Sequence, residues 1–285
     1  MRLCRFDTGR LGVVEGENLR DVTEALDVLP TYRYPLPSCD PLIGNFAAVT
    51  ERIRTLLPSA PTTPLSAATL LSPVANPGKV VAAPVNYQKH LDEVRGDEGL
   101  HQQNQINTIH KAGLFLKATS ALAGAGEGIA LRKLERRNDH EVELAFVIGK
   151  TARGVSKHDA LDYVAGYCIG LDITIRGAEE RSLRKSADSY AILGPWMVTA
   201  DEIPNPGVLD LSLSVNGSLR QQSNTRHLIL GVPELVEFAT SFYTLYPGDI
   251  FFTGTPEGVG PIEPGDTIVA SIERIGSMEV KVRAA

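Results

Sequence analysis

Two acids one residue apart, Glu141 and Glu143, sit in NDHEVELAFVIG (residues 138–149), a stretch whose remaining residues have the apolar density of a buried strand. Side chains alternate across a strand, so Val142, Leu144, Phe146 and Ile148 share one face, and Glu141, Glu143, Ala145 and Val147 share the other. Both carboxylates then point the same way, at most about 7 Å apart. Like charges that close repel unless a proton or a cation lies between them. The competing reading is a solvent-facing edge of a half-buried strand. Further along, Asp172 closes the apolar run YVAGYCIGLDITIR, with Arg176 following it; a lone Asp there also suits a turn or a helix cap. Taken as three oxygen ligands with open positions, Glu141, Glu143 and Asp172 would suit a hard cation, Mg²⁺ or Mn²⁺, rather than zinc.

The elements that must position these acids read as mostly β with peripheral helices. KVVAAPV and LFLKA predict strands, and LDLSLSVNGSLR predicts a hairpin turning on Asn216-Gly217. Leu42, Phe46, Val49, Ile53 and Leu56 stand at helical spacing over residues 41–57, and PELVEFATSFYTLY predicts a second helix. Strands do not alternate regularly with long helices, which argues against a doubly wound sheet. The Pro-, Ser- and Ala-rich stretch from Pro58 to Lys79 marks a boundary, giving a small N-terminal α+β unit over residues 1–72 and a catalytic domain over 73–285.

Composition narrows the function classes. Net charge is −6 and no long block of like charge occurs, so no nucleic-acid or membrane patch is expected. The densest basic run, Arg132–Arg137, is interrupted by Leu134 and Glu135 and reads as a solvated face or a loop beside an anionic substrate. No apolar run is long enough to span a bilayer. Cys4, Cys39 and Cys168 lack metal-ligand spacing and predict reduced thiols in a cytoplasmic protein. HEVEL lacks the second His of a zincin helix, GTPEGVG lacks the Lys-Ser or Lys-Thr of a P-loop, and no G-x-S-x-G elbow occurs.

Several motifs occur together in one order: NYQKHLDE, LFLKATSAL, HEVELAFVIGK, YVAGYCIGLDITIR, RKSADSYAILGPW, VNGSLRQ and GDIFFTGTPEGVGPIEPGD. On these the chain, from about residue 79 onward, resembles the fumarylacetoacetate hydrolase family. The resemblance implies that family's β-rich catalytic fold, with Glu141, Glu143 and Asp172 holding Mg²⁺ or Mn²⁺, which chelates the oxo-acid end of a small-molecule substrate. It implies a catalytic His90–Glu93 dyad on a short lid, in the match Asn86-Tyr87-x-x-His90-x-x-Glu93. Residues three apart on a helix share a face, so Glu93 can orient and polarise His90 as a general base requires. Lys185 matches a family lysine that could stabilise an enolate or oxyanion. Gly254 and Thr255 resemble a carboxylate-binding loop, with Tyr87 and Arg176 as further substrate contacts.

The implied activity is metal-dependent hydrolysis of a carbon–carbon bond in a β-diketo or oxo acid, such as an acylpyruvate or ring-cleavage product, by a homodimer. The alternatives are decarboxylation or isomerisation on the same site, and a catalytically silent ligand-binding protein. The sequence also departs from the family pattern. Pro84-Val85 replaces Gly-Arg before the Asn-Tyr pair, and Glu179 stands where hydrolases tend to have Gln. An ionised acid cannot donate the hydrogen bond an amide would. The segment between Glu93 and Phe115, with His101 and His110, is longer than in compact members and predicts an extended lid or a reach toward a neighbouring subunit.

Overall fold

The computed structural model describes residues 1–96, 100 and 108–285. Within the long segment after Glu93, residues 97–99 and 101–107, His101 among them, lie outside the described residues, so the lid expectation does too. His110 falls in the short helix Ile109–Ala112.

Among the described residues the fold is built on three sheets. The largest has twelve strands, and its middle is the antiparallel pair Val142–Ile148 and Val164–Asp172, in register from Val142↔Leu171 to Ile148↔Val164. Every residue of both strands is buried. Phe146 and Val142 pack toward the five-stranded sheet, together with Leu211, Leu213, Ile268 and Val280. The other face, carrying Ala145 and Val147, packs against Val49 and Ile53 of the helix Phe46–Leu56. Burial on both faces explains the near-continuous apolar sequence of the strand, and it removes the solvent-edge alternative for Glu143. Phe146 also stacks on Phe251, ring centroids 4.6 Å apart and planes 9° from parallel. Truncating such a buried aromatic residue costs about 3–5 kcal/mol.

Outward from this pair, Ile250–Phe252 lies antiparallel on Val142–Ile148, followed by Val80–Ala82 and Phe115–Lys117. On the other side Ala191–Thr199 pairs with Val164–Asp172, and the N-terminal strand Arg2–Phe6 pairs with Ala191–Thr199. Strands from residues 1–72 therefore continue the main sheet through Arg2↔Val198.

Local predictions hold with two adjustments. The hairpin Asp210–Val215/Ser218–Asn224 turns on Asn216 and Gly217, with φ of 51° and 78°, the signs a type I′ turn needs. The helix expected over 41–57 is two pieces, Pro41–Gly44 and Phe46–Leu56. Asn45 divides them, its side chain donating back to the Pro41 carbonyl (2.8 Å). The second predicted helix stops early, at Thr240, leaving residues 241–246 outside it.

Candidate active site

The paired acids do not lie in one continuous strand. Regular pairing breaks at Glu141, between Asn138–His140, which belongs to the three-stranded sheet, and Val142–Ile148 of the main sheet. The chain thus changes sheets at the first acid, and Asp172 meets it there: the Asp172 N–H donates to the Glu141 carbonyl (2.9 Å). A side-chain brace holds the break. Gln221 Oε1 accepts from the Val142 N–H (3.0 Å), while its Nε2 donates to Thr255 Oγ1 (2.8 Å) and the Pro256 carbonyl (2.9 Å).

One oxygen from each of Glu141, Glu143 and Asp172 lies within 4.8 Å of the others, and all three side chains are buried. This donor set fits a hard divalent cation, since it is all oxygen, convergent and anionic. The electrostatics agree. Burial, with Asp172 and Glu141 alongside, pushes the Glu143 carboxyl well above the ordinary glutamate range, so three bare carboxylates here are one negative charge too many. Burial would raise Glu141 as well, but Lys185 and Arg176 hold it well below its ordinary value. The contacts are direct. Lys185 Nζ donates to Glu141 Oε2 (2.6 Å), Asp172 Oδ2 (2.8 Å) and Thr174 Oγ1 (2.6 Å), and Arg176 donates to Glu141 Oε1 (2.9 Å) and Asp139 Oδ2 (2.8 Å).

Glu143 has a different partner, the backbone N–H of Gly254 (2.6 Å). Gly254 adopts φ of +96°, and a Cβ there would come 2.7 Å from that of Asn86, so both conformation and space demand glycine. Thr255 lines the pocket, and its hydroxyl donates to the Val142 carbonyl (2.9 Å).

Across the pocket stands the helix Gln88–Gly96. His90 is buried and lines the same cavity as the three carboxylates, and its Nδ1 meets Glu93 Oε2 at 2.8 Å, as the i,i+3 spacing predicts. Glu93 is fixed in turn, since Oε1 accepts the Gly258 N–H (2.8 Å). The helix entry is pinned by Asn86, whose side chain donates to the carbonyls of Leu230 and Thr253 (2.8 Å each) and accepts from the Leu230 N–H (2.8 Å). Val85, just before it, has φ of 47°, an unfavourable backbone for a β-branched residue.

Of the expected site residues, Glu141, Glu143, Asp172, His90, Lys185, Arg176 and Thr255 line one pocket. Gly254 and Glu93 support it from behind through the bonds above. Tyr87 is buried and outside the pocket lining, and its hydroxyl has no partner among the described residues. Glu179 is exposed and bound bidentately by Arg136 (2.8 Å to each oxygen), a contact that lowers its carboxyl to about 2. It is an ionised clamp on the Arg132–Arg137 loop rather than a hydrogen-bond donor to substrate. Sequence reasoning missed Lys117, buried in the strand Phe115–Lys117, whose ammonium contacts Asp172 Oδ1 and the Lys185 carbonyl. A strand lysine flanked by apolar residues in LFLKA was the available signal, because lysine is rarely buried without a partner. Gln221 and Arg181 were missed as well.

The match to the fumarylacetoacetate hydrolase C-terminal model spans residues 79–283. The chain belongs to the fumarylacetoacetate hydrolase family, and it is an enzyme of that family's metal-dependent class, hydrolysing a carbon–carbon bond in an oxo acid. It is 62% identical, over the whole of both chains, to a maleylpyruvate hydrolase of Aquipseudomonas alcaligenes. A crystal structure of maleylpyruvate hydrolase from Sphingobium sp. SYK-6, in complex with manganese(II) and pyruvate, superimposes with a TM-score of 0.84 at 41% identity, each chain covered completely. A mitochondrial oxaloacetate tautomerase of Rattus norvegicus is 34% identical over 80% of this chain and 74% of its own.

Proposed function

We propose that the chain hydrolyses maleylpyruvate, or an acylpyruvate closely like it, to pyruvate and the corresponding acid. The carrying observation is that a single pocket brings together a buried three-carboxylate site, the Lys185 ammonium and a His90–Glu93 dyad. The full-length similarity to two maleylpyruvate hydrolases supports the substrate.

In this reading Glu141, Glu143 and Asp172 hold the cation, which supplies charge to polarise the oxo-acid carbonyl. His90, oriented by Glu93, removes a proton from water as it attacks the distal carbonyl, the carbonyl remote from the oxo acid. The carbon–carbon bond then breaks, and its electron pair leaves with the pyruvate half as an enolate. Lys185, already held against Glu141 and Asp172, stands where that negative charge develops. Arg176 keeps Glu141 ionised and aimed at the same point.

The test is incubation with Mn²⁺ and maleylpyruvate in ¹⁸O-labelled water, with products identified by mass. Pyruvate and maleate, with label in the new carboxylate of maleate, would bear the reading out. Release of CO₂ with no labelled maleate formed would replace it by decarboxylation. Isomerised substrate without cleavage would replace it by tautomerisation.

Two further expectations stand as proposals. The three unpaired cysteines, two of them buried, suit a reducing compartment such as the cytoplasm. No helix among the described residues is long and apolar enough to cross a membrane. A homodimer, expected from the family resemblance, is testable by light scattering.

A further inference from the structure

Four cationic side chains, Arg176, Arg181, Arg184 and Lys185, line the pocket beside its three carboxylates. Three of the four are committed. Arg176 and Lys185 are bound to acids of the site, and Arg184 donates to the carbonyls of Glu179 (2.8 Å) and Ile175 (2.9 Å). Arg181 differs. Its guanidinium lies over the Phe115 ring, 5.5 Å from the centroid, and it makes no ion pair or side-chain hydrogen bond with any described residue. It is half-buried and opens the short turn Arg181–Arg184. The same ring carries the Lys185 ammonium 5.7 Å from its centroid, so Phe115 seats Arg181 beside the reaction centre without contact to its acids.

A guanidinium stripped of part of its water and lacking an acceptor is a strong site for a planar anion, because its fork matches a carboxylate. With a divalent cation in place the lining carries excess positive charge, which a monoanionic oxo acid leaves partly unanswered. We propose that Arg181 is a specificity-determining residue, receiving a second carboxylate at the end of the substrate remote from the oxo acid. This rests on the hydrolase reading above and narrows it to dicarboxylic substrates.

The test compares kcat/KM for maleylpyruvate with that for acetylpyruvate, which shares the oxo-acid end but lacks the distal charge. In Arg181→Met the ratio of the two should fall by about 30- to 100-fold, the worth of a charged hydrogen bond, chiefly through KM for maleylpyruvate. Arg181→Lys should recover part of it. An unchanged ratio, or equal losses on both substrates, overturns the proposal. Maleate binding, measured by calorimetry on the Mn²⁺-loaded protein, is the second readout and should be lost in Arg181→Met. If the wild type binds no maleate, or the variant binds it equally, Arg181 has no such role. Should the protein cleave no maleylpyruvate at all, the substrate reading fails by itself, and the maleate measurement still decides the role of Arg181.

Discussion

The two walls of the pocket are built differently. The carboxylate wall rests on a pair of strands buried along their whole length, and each acid has at least one strong partner: Lys185 and Arg176 on Glu141, Lys185 and Lys117 on Asp172, a backbone N–H on Glu143. The histidine wall is one short helix whose long-range polar contacts among the described residues include Asn86 on Leu230, Thr253 and the Ile229 N–H, Glu93 on the Gly258 N–H, and Lys89 on Glu257 at 3.4 Å. The contrast teaches that the fixed charges are set into paired strands, whereas the proton-transfer dyad rides on a helix tied to the sheet at a few points, with the loop after Phe252 serving both. Fixed charges stay useful in a buried site only if they cannot relax away from where they are needed.

If that division is real, breaking the carboxylate wall should do the most damage. Chelator-stripped protein should lose activity and regain it with Mn²⁺ or Mg²⁺, and Glu143→Ala should abolish the rescue, because two oxygens hold a hard cation poorly. Full activity in chelator would sink the metal assignment. Breaking the histidine wall should spare the metal while slowing the reaction. His90→Ala should lower kcat by roughly 10²–10⁴ with unchanged metal content, and Glu93→Gln should cost less. The double variant should fall well short of the product of the two, as for residues acting as a unit. Near wild-type turnover in His90→Ala would remove the dyad from the mechanism.

A third measurement sharpens the electrostatic side of the contrast. Burial and its two acidic neighbours hold Glu143 above the ordinary glutamate range, so the metal-free fold keeps a proton that the unfolded chain has already lost. The metal-free protein is therefore penalised as pH rises above that ordinary value, and the cation, which displaces the proton, relieves the penalty. Affinity for Mn²⁺ should weaken as pH falls, by up to about tenfold per unit for a single proton. The rise in Tm on adding Mn²⁺ should be smaller at low pH than near neutrality; a pH-independent rise would refute the assignment.

Smaller effects test the helix's anchorage. Asn86→Ala leaves the buried Thr253 carbonyl and the half-buried backbone groups of Leu230 without their partner and should cost about 1–3 kcal/mol in urea unfolding, without loss of metal. If stability does not change, Asn86 is not the anchor its bonds suggest. Val85→Asn should be slightly stabilising, by about 1 kcal/mol, since Asn tolerates the left-handed backbone that Val resists. A lower urea midpoint would show that the Val85 side chain contributes more than its backbone costs.

How far these features could be read from the sequence depended on how local each one is. The paired acids announced themselves because a strand's period places both on one face, and His90–Glu93 because a helix's period does the same. The break at Glu141 was not legible, since nothing in HEVEL marks a change of sheet; the brace that holds it comes from Gln221, in a hairpin far along the chain. Arg181 carried no local mark of function either, and the mark on Lys117, its place among the apolar residues of LFLKA, pointed to burial but not to its partner Asp172. Whether a lysine or arginine is solvated or part of a buried ion network is decided by strands that meet it only in the folded state. The sharing of the main sheet by residues 1–72 was hidden for the same reason, as Arg2 pairs with Val198.

The strand Ile250–Phe252 sits between Val142–Ile148 and Val80–Ala82, although it is made long after either. Until it arrives, a growing chain has an open slot in the middle of its largest sheet, with two unpaired strand edges facing it. Thr253 and Gly254, directly behind that strand, supply the acceptor for Asn86 and the donor for Glu143. Both walls of the pocket are thus closed by the same late insertion. Pairings of such long sequence separation fold slowly, and exposed strand edges are where chains associate wrongly. During synthesis this protein would spend most of its time as an incomplete sheet in need of protection, and it would gain its active site only near the end.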